Sequence, residues 1–239
     1  MIDIHCHLVP GIDDGPETLE ESLAMARLAV AGGITAARTT PHIHVGRWDN
    51  DLAKIAAAVA ALRAEIGRAA IPLELSFAAE VRLDYEILPM IEEGRIPFLG
   101  TLEGKKVLLL EFPHSHVPVG ADKFVAWLLS RNIRPMIAHP ERNKDLMLDP
   151  ARLLPFVKEG CLLQLTADAL TGEFGDLARK RSVEFLEHGW VTVLASDAHD
   201  TVNRPPRMAG GRDAAAQIIG AEAAEELVQT MPGRILGIA

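Results

Sequence analysis

Seven short, strand-like runs alternate with stretches of helical periodicity, and this alternation constrains the 239-residue chain more than any other feature. The runs span 2–5, 35–40, 73–79, 107–112, 134–138, 161–166 and 191–196. Several are almost wholly apolar, as parallel strands covered on both faces must be. The first helix is signalled by a possible capping box, Thr18 with Glu21, followed by an apolar face of Leu19, Leu23, Ala26 and Val30 and a stop at Gly32 or Gly33. Residues 51–67 repeat the pattern with Leu52, Ile55, Val59, Leu62 and Ile66; further helices are expected over 123–132, 150–159, 178–188, 214–219 and 221–231. Strand and helix in alternation predict a parallel α/β fold, as a barrel or an open doubly wound sheet, in one domain spanning 1–239. No Gly-rich dinucleotide loop follows the first strand, which weighs against the Rossmann type of open sheet.

Composition narrows the functions such a domain can serve. The formal charge is −9, the opposite of the basic footprint that DNA or RNA binding requires, so no nucleic-acid partner is expected. The two cysteines, Cys6 and Cys161, form neither a disulfide framework nor a CxxC pair. The opening residues lack a basic segment followed by a long apolar one, and no run approaches the roughly 20 apolar residues of a membrane span. A cytoplasmic protein without membrane insertion is the expectation, with its oligomeric state open.

The ionisable residues fall at the ends of the predicted strands. His5 and His7 close the first, His42 follows the second, Glu80 the third, and Glu111 ends the fourth. His139 follows the fifth in Ala-His-Pro-Glu-Arg, Asp197 and His199 follow the seventh in Ser-Asp-Ala-His-Asp, and Asp14 lies in the loop after the first. In a parallel barrel all C-terminal strand ends share one face, so these side chains converge. Imidazoles and carboxylates are ligands for zinc, iron, manganese or cobalt, and nine of them suffice for two or three ions. Two cations sharing a water acidify it and offset the charge of a phosphoryl group. Cys6 lies between two of these residues, but alternation along a strand turns it the other way, and no Cys-x₅-Arg loop follows it.

His-x-His on the first strand, Asp-Asp-Gly-Pro, Thr-Pro-His, the two glutamates, His-Pro-Glu-Arg and Ser-Asp-Ala-His together resemble the PHP (polymerase and histidinol phosphatase) superfamily. Within it they are most similar to the bacterial tyrosine-protein phosphatases of capsule and exopolysaccharide systems. The resemblance runs from residue 1 to about residue 207 and implies a distorted (β/α)7 barrel with a trinuclear centre. By motif, His5, His7, Glu80 and Asp197 hold the first metal; Glu80, Glu111 and His139 the second; and Asp14, His42 and His199 the third. Manganese is foremost among the metals implied. Arg142 and Arg204 match the family's phosphate-binding arginines. Hydrolysis of phosphotyrosine by a metal-bound hydroxide follows, on a substrate such as the tail of a membrane-linked tyrosine kinase.

Several assignments stay open on the residues alone. Asp13 competes with Asp14, and Arg207 with Arg204. His44, His114 and His116 are taken as surface or rim residues, and 112–120 matches no motif of the family. A phosphatase of a small metabolite such as histidinol phosphate, a nuclease or nucleotide phosphoesterase, or a metal-stabilised regulatory domain without turnover, are the alternatives.

Overall fold

The structure is a computed structural model that describes residues 1–238; the last residue of the expected 1–239 domain lies outside the described residues. In chain order the elements are β1 (Ile2–Cys6), α1 (Leu19–Ala31), β2 (Ala36–Thr39), β3 (His42–Ile43), α2 (Leu52–Arg68), β4 (Glu74–Phe77), β5 (Glu80–Arg82), α3 (Ile87–Glu92), β6 (Gly100–Leu102), β7 (Lys105–Glu111) and α4 (Ala121–Ser130). They continue with β8 (Ile133–Ala138), α5 (Lys144–Leu148), α6 (Leu154–Lys158), β9 (Leu162–Thr166), α7 (Ala167–Thr171), α8 (Asp176–Glu187), β10 (Val193–Ala195), α9 (Ala209–Ile219), α10 (Ala221–Glu225) and α11 (Met231–Leu236).

The seven expected strands are present, but two are broken. After β2 the chain passes Pro41, which has no N–H to give a ladder, and resumes as β3; β4 is likewise separated from β5 by Ala78 and Ala79. The breaks lie side by side, so β1-β2-β4 and β3-β5-β7-β8-β9-β10 form two parallel sheets, with β6 antiparallel on β7. Thr40 N donates to Cys6 O (2.7 Å) and Ala78 N to Thr39 O (2.9 Å), which carries the pairing across the gap. Neighbours therefore follow chain order around a distorted barrel of seven strand positions. Between β10 and β1 there is no ladder. A single bridge from Cys6 to Ala198 stands there, with His7 N to Ala198 O and Asp197 N to His5 O, both 2.8 Å.

Two cores follow from strand alternation. Ile2, Ile4, Val107, Leu109, Met136, Leu162 and Val193 face inward and pack with Ile235 of α11, which closes the end where the strands begin. Leu108, Leu110, Ile137, Leu163 and Leu194 face outward under the helices. The C-terminal helix passes so close to β6 that a side chain at Gly100 would overlap the Ile235 carbonyl.

The capping box at Thr18 is formed in both directions. The buried stripe of α1 is Ser22, Met25, Ala26 and Ala29, rotated from the expected face: Leu19, Leu23 and Val30 are only partly covered. On α2 the expected Ile55, Val59, Leu62 and Ile66 are buried, with Asp51 as the cap, while Leu52 is exposed. The single helix expected over 221–231 is α10, a wide turn over Glu226–Thr230 and α11, since Pro232 starts a new helix rather than continuing one. The helix expected over 150–159 opens as a tight 3₁₀ segment at Pro150–Leu153.

Where the ring lacks a ladder, Asp3 supplies the tie. Its buried carboxylate accepts from Ser196 N (3.0 Å), Ser196 Oγ (2.5 Å) and His5 N (3.3 Å). Replacing Asp3 with Ala strands these donors. It is expected to cost about 2–4 kcal/mol, read as a lower denaturant midpoint of the metal-free protein.

Candidate metal centre

On β7, β9 and after β10 the inward-facing set ends in a polar residue at the open end of the barrel. Val107 and Leu109 lead to Glu111, Leu162 leads to Gln164, and Val193 leads to Asp197 two residues past β10. On β1 a register irregularity between Asp3 and Cys6 switches the alternation, so Ile4 faces the core and His5 and His7 face the site. The short strands β3 and β5 set His42 beside Glu80, and the pairing of β5 with β7 sets Arg82 beside Glu111. His139 and Asp197 sit in left-handed backbone, φ 31° and 51°. Such conformations cost about 1–3 kcal/mol each and persist where the surroundings impose them.

All nine residues singled out in the sequence lie at this end, and eight of them are buried; Asp14 is the exception. His5 Nε2 is 3.2 Å from both Glu80 Oε2 and Asp197 Oδ1; His7 Nε2 is 3.3 and 3.5 Å from the same atoms. Donors about 2.1 Å from a shared tetrahedral ion lie about 3.4 Å apart. A second group joins Asp14 Oδ1 to His42 Nε2 and His199 Nε2, each at 3.3 Å, with His7 close by. The third compact group is Glu80, Glu111 and His42, with His42 Nδ1 at 3.2 Å from Glu80 and 3.8 Å from Glu111. His139, which the resemblance groups with Glu80 and Glu111, approaches the other oxygen of Glu80 at 2.8 Å.

Among the described residues, His42 Nδ1, Glu80 Oε2, Glu111 Oε2 and Asp197 Oδ1 are buried without a hydrogen-bond partner. Burying such groups unpaired is costly, and divalent cations would satisfy them together, so the residues present fit metal binding.

Asp13 and Asp14 separate cleanly. Asp13 turns inward, accepting from His7 Nδ1 (2.7 Å) and the His42 N–H (3.0 Å), which leaves His7 Nε2 for the centre; Asp14 joins the ligand group. Gln164 Oε1 does the same for His5 Nδ1 (2.8 Å) and also holds the His139 N–H (3.2 Å). Trp48 stacks on the His42 ring at 4.7 Å. Sequence reasoning passed over Gln164 and Trp48; a polar residue inside the apolar run Cys-Leu-Leu-Gln-Leu-Thr was the available signal for the first.

Arg142 and Arg204 both reach Asp197 Oδ2, Arg142 at 2.6 Å as an ion pair without hydrogen-bond alignment. Arg207 is exposed and lies outside this cluster. Arg82 Nε is 3.1 Å from Glu111. His114 lies at the rim, 5.5 Å from the His139 ring. Cys6 points away from the site into packing, its Sγ on the Arg38 carbonyl.

These contacts set the charges of the metal-free site. Burial disfavours a charged His5, yet Glu80 and Asp197 hold its pKa up at about 10. His7 is raised well above its usual value against burial, chiefly by Asp13. Burial and Arg142 press His139 down to about 3, and burial and His7 press His199 to about 4. Burial and the Glu80 charge lift Glu111 to about 7. Asp197 stays far below the usual carboxylate range despite burial, through Arg142, Arg204 and His5.

A ring of parallel strands with imidazoles and carboxylates gathered over one end defines a barrel protein built to hold divalent metals. The chain belongs to the family described as capsular polysaccharide synthesis, CpsB/CapC, whose model matches residues 1–237. It is 35% identical over 204 residues to the tyrosine-protein phosphatase YwqE of Bacillus subtilis, covering 85% of this chain and 79% of that one. Against the tyrosine-protein phosphatase CpsB of Streptococcus pneumoniae it is 31% identical over 245 residues, covering 99% and 98%. A chain from the crystal structures of YwqE and CpsB, described as unique metal-dependent tyrosine phosphatases, superposes with a TM-score of 0.91 at 31% identity, covering 100% of this chain and 95% of that one. The fold and family expected from the sequence motifs are borne out.

A metal must displace the protons held by His5 and His7, whereas His139 and His199 are already neutral at pH 7. Metal uptake at pH 7 is therefore expected to release protons, and affinity to rise as pH climbs toward 10. Calorimetry in buffers of unlike ionisation enthalpy measures this; heats independent of buffer contradict it. Burial pushes the Cys161 thiol up to about 12 and Cys6 well above its usual value, so iodoacetamide at pH 8 should leave both thiols of the folded protein unmodified by mass spectrometry.

Proposed function

We propose that this protein is a metal-dependent phosphatase that hydrolyses phosphotyrosine in proteins. Its physiological substrate is the phosphorylated tail of a membrane-linked bacterial tyrosine kinase of capsule or exopolysaccharide synthesis, met in the cytoplasm. The observation that carries this reading is the pair of guanidiniums, Arg142 and Arg204, converging on Asp197 beside the grouped ligands. Kinship with YwqE and CpsB, named as tyrosine-protein phosphatases, supports the substrate class.

His5, His7, Glu80 and Asp197 would hold one ion, Glu80, Glu111 and His139 a second, and Asp14, His42 and His199 a third, with His42 also in reach of both glutamates; manganese is the metal proposed, with iron, cobalt or zinc suited to the same donors. Bound ions supply an acidified water and offset phosphoryl charge. Arg142 and Arg204 offer paired N–H donors to the free phosphate oxygens, turning from Asp197 to the substrate. Their fixed charges sit where negative charge concentrates, so positioning and electrostatics supply the rate. A phenol, with a pKa of about 10, leaves with less proton assistance than an alkyl alcohol. Neither cysteine is placed to serve as nucleophile, since both are buried.

Initial rates on a phosphotyrosyl peptide and on histidinol phosphate, with manganese and with a chelator, test the reading. Chelator-sensitive preference for the peptide is expected, and preference for histidinol phosphate would overturn the substrate. His5→Ala with Asp197→Ala should lower the peptide rate by more than about 100-fold; undiminished turnover would refute the site.

A further inference from the structure

Beside the metal centre lies a cleft of about 320 Å³ lined by His114, Arg142, Lys144, Met147, Phe174 and Arg204. The metal ligands do not line it, yet it shares with them the two arginines that lean on Asp197. Its inner end is cationic, and Phe174 and Met147 give it an apolar side, both half-buried.

Phe174 is held rather than loose. It stands in the turn between α7 and α8, flanked by Gly172 and Gly175 in backbone that side chains disfavour, φ 96° and 88°. Glu173 N donates to Asp168 O (3.1 Å) and Gly175 N to Gly172 O (2.9 Å), so the turn is internally bonded. The Arg142 guanidinium carbon lies 4.8 Å from the centre of the Phe174 ring. Met147, also in the lining, is carried by α5, and its carbonyl accepts from Arg181 Nε (2.7 Å). Lys144 N donates to His114 O (2.8 Å), joining the two residues at the mouth.

Arg142 and Arg204 line this cleft together with Phe174, so a phosphate held by them has the cleft beside it for its ester group. In an aryl phosphate the ring begins one oxygen from phosphorus, and the Phe174 ring centre lies 4.8 Å from the Arg142 guanidinium carbon, so the two rings would be neighbours. The Met147 thioether, in the same lining, suits the same ring. An alkyl phosphate has no plane to offer there.

We propose that the Phe174–Met147 cleft is the aryl-binding subsite, and that it selects phosphotyrosine over alkyl phosphates by packing its ring. This rests on the phosphotyrosine reading above, and the test separates the two. Phenylphosphonate and methylphosphonate differ only in the ring, and neither is hydrolysed. As competitive inhibitors of the manganese-loaded enzyme, phenylphosphonate should bind at least roughly tenfold more tightly. Phe174→Ala should bring the two inhibition constants together while leaving that of methylphosphonate unchanged, and Phe174→Tyr should restore the gap. Met147→Ala, with metal content and melting temperature checked, should narrow it by a smaller factor and carries the test if Phe174→Ala does not fold. A wild-type enzyme that hydrolyses the phosphotyrosyl peptide but binds both phosphonates equally overturns the subsite and leaves the activity standing. Equal weakening of both phosphonates by Phe174→Ala also overturns it, since Phe174 would then act only by holding Arg142. A wild-type enzyme that ignores the peptide and prefers histidinol phosphate removes the activity and the subsite with it.

Discussion

The carboxylate of Asp197 is the point on which the site turns. It is buried at the last strand position, and its two oxygens face different tasks: Oδ1 toward His5 and His7, Oδ2 toward Arg142 and Arg204. A buried charge in isolation is untenable, and here four cationic or potentially cationic groups surround it. One residue thereby ties the candidate metal ligands to the two arginines proposed to hold phosphate. It also sits among the few links between the last and first strand positions, one of which is its own N–H to His5 O. Closure of the barrel and assembly of the site are thus one event.

The charge pattern makes sense of an acidic chain that handles an anionic substrate. The net charge of −9 includes the carboxylates spent on the centre, and bound cations offset these. Beside the centre the sign reverses, with Arg142, Lys144 and Arg204 lining the adjoining cleft and Arg82 next to Glu111. A local field of that kind concentrates a phosphate even when the molecule as a whole repels it.

Much of this was legible in the sequence because strand alternation obeys a rule of two. Once the seven apolar runs are placed, polar residues at their C-terminal ends must share a face, which was enough to gather His5, His7, Glu80, Glu111 and Asp197. What escaped depended on breaks in that rule. The interruption at Pro41 turns His42 and Glu80 into members of short strands of their own, and this brings His42 within reach of both Glu80 and Glu111. The face of α1 was misplaced because Leu19, Leu23 and Val30 are apolar yet lie at the margin, while small Ala29 and Ser22 take the tight contact. Gln164 and Asp13 act by orienting imidazoles, a role that no spacing announces. The choice between Asp13 and Asp14 needed the loop's own hydrogen bonds.

The left-handed backbone at His139 and Asp197 bears on how this protein can change. Each holds a conformation natural to glycine, so the chain gives up stability to place an imidazole and a carboxylate where it does. Glycine at Asp197 would relax the backbone but leave the buried Arg142 guanidinium and its neighbour Arg204 without their counter-charge, so the strain cannot be shed without breaking the cluster that imposes it.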